Sequence, residues 1–232
     1  MLVSDLLTLI ANSDAKSFGL VDKGKFQIKE EAYPFINVCL NRALRKIFTD
    51  FCLIQREVIV KSYEQYDRYF LRSEHSILND NPSVAKYLID TPQEPFDDKL
   101  VKILRVTDEL HNKYDLNVIG AEYNILTPEY DCIEIEHPEK ELAYSVIYQA
   151  CCGRFDFSSI SENINVPVYV EEALIFYMQY LIANKQSNAV SQQKAQLLLM
   201  RYNEEVQTLL STGKLGNITT YQNNLFELKG WK

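Results

Sequence analysis

A chain of 232 residues with 47% apolar and 24% charged content can build a substantial core, as one domain or two. Its net charge of −8 is uneven: residues 90–141 hold 14 Asp and Glu against 5 Lys and Arg. The clustered basic residues that specific DNA binding requires are missing, and no apolar run is long enough to span a bilayer.

The first residues, MLVSDLLTLIANSD, lack a basic stretch and carry Asp5 inside their apolar part, so they do not read as a signal peptide. Residues 4–11 read as a short helix with Ser4 as N-cap, followed by a loop holding Gly19 and Gly24. In residues 30–52, Phe35, Cys39, Ala43, Ile47 and Phe51 recur every fourth position, which predicts a long helix. Arg42, Arg45 and Lys46 fall off that stripe and read as a solvated face.

From Gln55 the texture changes to strand, with Val58 and Val60 alternating with charge, then a tyrosine-rich run at Tyr63, Tyr66 and Tyr69. Residues 73–97 are turn-rich. Strands are expected at 99–106, on either side of Thr127-Pro128, and at 142–149. Ile133 and Ile135 alternate with Glu134 and Glu136, as in a strand with one wet face.

After Gly153 and a polar loop the chain restarts at Pro167 as a helix, with Glu171 and Glu172 near its positive end. That helix is apolar on several sides through Leu174, Phe176, Tyr177, Met178, Tyr180 and Leu181. A last helix is expected at about 189–211, carrying Ala195, Leu198, Leu199, Tyr202, Val206 and Leu209 at helical spacing.

The fold class is therefore α+β, mainly an α-helical bundle with an inserted small antiparallel β-domain. Residues 1–52 and 153–211 supply the helices, 53–152 the β-rich insertion, and 212–232 a C-terminal tail. That tail is polar but carries Leu225, Phe226, Leu228 and Trp231 near its end.

Catalytic chemistry finds no foothold. His75, His111 and His137 lack metal-ligand spacing, and no G-x-G-x-x-G, Walker, G-x-S-x-G or H-E-x-x-H pattern occurs. Five cysteines, an odd number without zinc spacing, fit reduced thiols, and the Cys151-Cys152 pair reads as packing. Asp97, Asp98, Asp108 and Glu109 form the one carboxylate group with any claim on Mg²⁺. An exposed rim is the plainer reading of it. No cofactor and no metal is expected.

The segments PFDDKLVKILRVTDELHNKYDLN, ILTPEYDCIEIEHPEKELAYSVIYQACC, INVPVYVEEALIFYMQYLIAN, LLLMRYNEEVQTL and LFELKGW follow one another in this order. Together they resemble the head-to-tail adaptor, or neck ring, proteins of tailed bacteriophages, of the tail tubular protein A type. The resemblance covers most of residues 30–232 and rests on motif order and architecture. It implies a non-enzymatic structural virion protein, made in the bacterial host cytoplasm, in a ring of about twelve copies. Such a ring joins the portal protein to the next tail component and lines a channel through which genomic DNA passes without specific binding.

Two sets of residues carry roles under this resemblance. Leu225, Phe226 and Trp231 would dock on the portal, and Phe176, Tyr177 and Tyr180 would meet neighbouring subunits. Two alternatives remain beside it. One is another tail ring component such as a terminator; the other is a metal-dependent enzyme built on Asp97 and Asp98.

Overall fold

Stretches of helical and of strand periodicity separate into two units, one containing residues 1–51 and 153–212, the other residues 52–152. The structure, a computed structural model, describes every residue outside 13–18, 23–26, 119, 122, 123, 137, 139, 140, 157–162, 187 and 213–232. The chain is α+β.

Among its described residues the first unit holds four α-helices: α1 (Val3–Asn12), α2 (Tyr33–Asp50), α3 (Glu171–Asn184) and α4 (Ala189–Ser211). Helix α3 packs against α4 and α2 and touches α1. In α2 the buried stripe is Ile36, Cys39, Leu40, Ala43, Leu44, Ile47 and Phe48. Phe35, expected on that stripe, sits half-buried instead, with the Lys185 ammonium 3.8 Å from its ring centroid. Asn41 ties α2 to a distant stretch of chain. Its Nδ2 donates to the Phe155 carbonyl and its Oδ1 accepts from the Phe155 N–H, both at 2.8 Å.

Two helix starts follow local chemistry, and two expected ones do not. Pro34 occupies the first turn of α2, where its missing N–H costs nothing. Asn188 caps α4, its Oδ1 accepting from the Ser191 N–H at 2.7 Å. Ser4 is not a cap: α1 already begins at Val3, and the Ser4 carbonyl accepts from Thr8 Oγ1 inside the helix. Pro167 does not open α3 either. It is extended (ψ 142°) before a 3₁₀ turn at Val168–Val170, and the α-helix begins at Glu171. A proline fixes φ near −65° but leaves ψ free, so it suits either arrangement.

Among its described residues the second unit holds eight strands: β1 (Gln55–Lys61), β2 (Arg68–Phe70), β3 (Leu88–Ile89), β4 (Leu100–Asp108), β5 (Lys113–Leu116), β6 (Asn124–Ile125), β7 (Cys132–Glu134) and β8 (Ala143–Ala150). Six form one sheet in the order β3-β1-β8-β4-β5-β6, and β2 pairs with β7 in a second, two-stranded sheet. The insertion is not wholly antiparallel as expected: β5 and β6 pair in parallel. Asn117, in the left-handed region at φ 59°, turns the chain there, and its side chain exchanges hydrogen bonds with Thr127.

Strand β8 is the spine of this sheet. Val146 stands opposite Val58 on one side and Val106 on the other. Tyr144, Val146 and Tyr148 share one apolar cluster with Val58, Val106, Tyr69 and Ile133, so the two-stranded sheet covers that face of the larger one. Ile133 and Ile135 are buried while Glu136 is exposed. All eight residues of β8 are buried, where period-two alternation alone predicts one face.

Candidate functional site

The aromatic residues of α3 belong mostly to the interior of the helical unit. Tyr177 packs its ring 4.9 Å from Tyr202 of α4 and 5.4 Å from Tyr180. Phe176 and Tyr180 lie against Ala183, Ala195 and Leu198. All three are half-buried. Between Glu171 and Ala183 only Glu172 is exposed, so α3 presents no open apolar face.

Helix α4 differs. Ser191, Ala195, Leu198, Tyr202 and Leu209 form its buried line. Val190, Leu197 and Met200 stand 76%, 60% and 57% exposed. Their spacing of seven and three residues places them on one face of the helix, away from the buried line. Periodicity marks the buried line readily but cannot tell that this second apolar row lacks a cover. Leu225, Phe226 and Trp231 lie outside the described residues.

The carboxylates singled out for Mg²⁺ each serve the backbone or a cation nearby. Asp97 accepts from Lys99 Nζ at 2.6 Å and from Arg56 at 2.9 Å. Burial alone would raise its pKa, but the two cations overcome that and hold it below the usual carboxylate range. Asp98, in the left-handed region at φ 56°, accepts from the Ser73 N–H and hydroxyl.

Asp108 accepts from the N–H groups of Leu110 and Asn112 and from the Asn112 side chain, all at 2.9 Å, which closes the β4–β5 turn. Glu109 accepts from the Ala143 N–H. The four are thus distributed over separate tasks. Among the described residues, no group of three His, Cys, Asp or Glu is placed to hold a metal ion.

Histidines and cysteines are likewise structural in setting. His75 stacks on Tyr87 with its Nδ1 3.0 Å from the Ala85 carbonyl oxygen, and His111 occupies the β4–β5 turn at φ 64°. His137 lies outside the described residues. Burial pushes the Cys39 and Cys132 thiols up to about 11, so both stay protonated and poorly nucleophilic at neutral pH. Cys151 and Cys152 are half-buried thiols just past β8.

One open cleft of about 300 Å³ lies in the β unit, where residues 71–74 face Asp98, Leu100 and the Tyr130-Asp131 pair. Arg72 is stacked over Phe70 at 4.6 Å and donates to Asp131 Oδ2 at 2.8 Å. Sequence reading missed this site because its lining comes from three separate segments without a shared motif.

No protein-family model matches the chain, and no curated protein matches it. Among the described residues, no helix is long and apolar enough to cross a membrane.

Proposed function

We propose that this chain is a structural virion protein, a head-to-tail adaptor that forms a ring between the portal and the tail. The observation that carries the reading is the exposed apolar row Val190, Leu197 and Met200 on the longest helix. A ring contact is heterologous, with two different patches of each subunit meeting, and an uncovered helical row suits one of those patches. Phe176, Tyr177 and Tyr180 would contribute the uncovered edges of their half-buried rings. The helices would then act as a bundle around which subunits assemble, with the β-rich insertion carried by it.

Charge supports the same reading. Residues 52–152 hold 19 Asp and Glu against 10 Lys and Arg, a net charge that disfavours a grip on nucleic acid. DNA sliding through a channel needs weak contacts of that kind. The tail with Leu225, Phe226 and Trp231 would dock on the portal, and the next tail protein would sit on the opposite side of the ring.

The test replaces Leu197 and Met200 together by Glu. Because both side chains are exposed, stability should move by no more than about 0.5 kcal/mol per substitution. Electron microscopy of portal mixed with this variant should then show portals without a ring. Complete rings with the double variant would contradict the assignment of this face.

A further inference from the structure

We infer that the cleft at residues 71–74 is a docking pocket for one arginine side chain presented by a protein partner. Its volume of about 300 Å³ is at the small end for ligand sites, fit for a single side chain and no larger element. Leu71 and Leu100, both buried, form apolar wall on which an aliphatic stem can lie. Tyr130 also lines the cleft and is 67% exposed, leaving a ring available to a planar guanidinium.

The charges favour a cation. Glu74, Asp98 and Asp131 line the cleft against one cation, Arg72, which is already paired with Asp131 Oδ2. Asp98 is held by Ser73 through neutral donors, which leave its charge uncompensated. The other nearby cations are engaged elsewhere. Lys99 pairs with Asp97, and Lys86 Nζ donates to the Glu74 carbonyl oxygen and to Asn79.

Asp131 supplies an independent pointer. It is 3% exposed, and its Oδ1 is buried without a hydrogen-bond partner. Arg72 offsets its charge through Oδ2 while Oδ1 stays without a donor, so the net negative potential at the cleft comes from Glu74 and Asp98. That potential favours a charged, fork-shaped donor over a neutral one.

This pocket is independent of the adaptor reading and goes beyond it. Its test is an amide-resolved NMR titration of the full chain with N-acetyl-arginine amide, run beside the citrulline counterpart, which has the same shape without the charge. The arginine compound should give saturable shifts at Ser73, Glu74, Tyr130 and Asp131, and the citrulline compound none. Tyr130→Ala and Glu74→Gln, both at exposed positions, should each weaken binding roughly two- to five-fold. Equal shifts from the two compounds, or none from the arginine compound at its solubility limit, would overturn the proposal.

Discussion

Tyr202 shows how individual side chains hold the helical unit. Its hydroxyl donates to Asp50 Oδ2, and Asp50 also accepts from Lys46 at 2.7 Å. Burial first, then the adjacent carboxylate, pushes the phenol far above its ordinary value of 10.0. Burial also raises Tyr69 and Tyr87 and pushes Tyr148 up to about 12. These groups keep their protons in the folded chain and release them sooner when unfolded. Their contribution to stability is thus full below the unfolded values and is lost as pH rises. With Cys39 and Cys132 displaced from 9.0 in the same direction, the free energy of unfolding should fall as pH rises above about 9. Each such group adds about 1.4 kcal/mol per pH unit to the slope above its unfolded value. At the acid end the free energy of unfolding should also fall as Asp97, held low by Lys99 and Arg56, is protonated. Urea titrations at stepped pH measure this, and Tyr202→Phe should make the alkaline slope shallower by one proton. An unchanged slope would mean that Tyr202 titrates alike in both states. At this scale the sequence was least legible. Asp97, Asp98 and Asp108 read alike in a row of letters, and only the fold separates a cation-bound carboxylate from a backbone cap.

Among the elements, β8 and α3 make an instructive pair. The alternation of Tyr144, Val146 and Tyr148 with Ser145 and Ile147 announces a strand, and β8 forms there. The burial of both faces was not legible, because what covers a strand depends on segments far along the chain. Val146, between Val58 and Val106, is the position where truncation should hurt most. Val146→Ala should cost about 2 kcal/mol, read as a lower urea midpoint at unchanged slope. The β4–β5 hairpin depends on Asp108 in the same way. Asp108→Ala leaves the Leu110 and Asn112 donors without their acceptor and should cost roughly 1–3 kcal/mol in the same assay. For α3, apolar residues on several sides point equally to a buried helix and to an assembly face. The structure gives it internal neighbours in α4 and α2, so Phe176→Asp and Tyr180→Asp should destabilise the helical unit itself. Thermal unfolding of the isolated protein tests that directly, and an unshifted midpoint would return those rings to the surface. The apolar row that stays open is on α4, where charged neighbours such as Arg201 and Glu204 hid it within an ordinary amphipathic pattern.

For the whole molecule, the change of period at residues 51–52 and again at 152–153 coincides with the division into a helical unit and a β-rich unit. Local propensity makes that change readable, since helical spacing gives way to a β-branched and aromatic run after residue 51, and such a run ends at Gly153 and a polar loop after residue 152. The parallel β5–β6 pair and the second sheet of β2 and β7 were not readable, because strands of two to four residues carry too little pattern to fix a partner. The proposed function lives at this scale as well, in the joining of many copies. The most direct measurement is the mass of the purified protein alone and mixed with a portal protein of the same virus, paired with electron microscopy of the mixture. The adaptor account predicts that the portal gains a ring of about twelve copies, and that removing residues 217–232 abolishes the gain. A mixture in which portal and this chain keep their separate masses would contradict it.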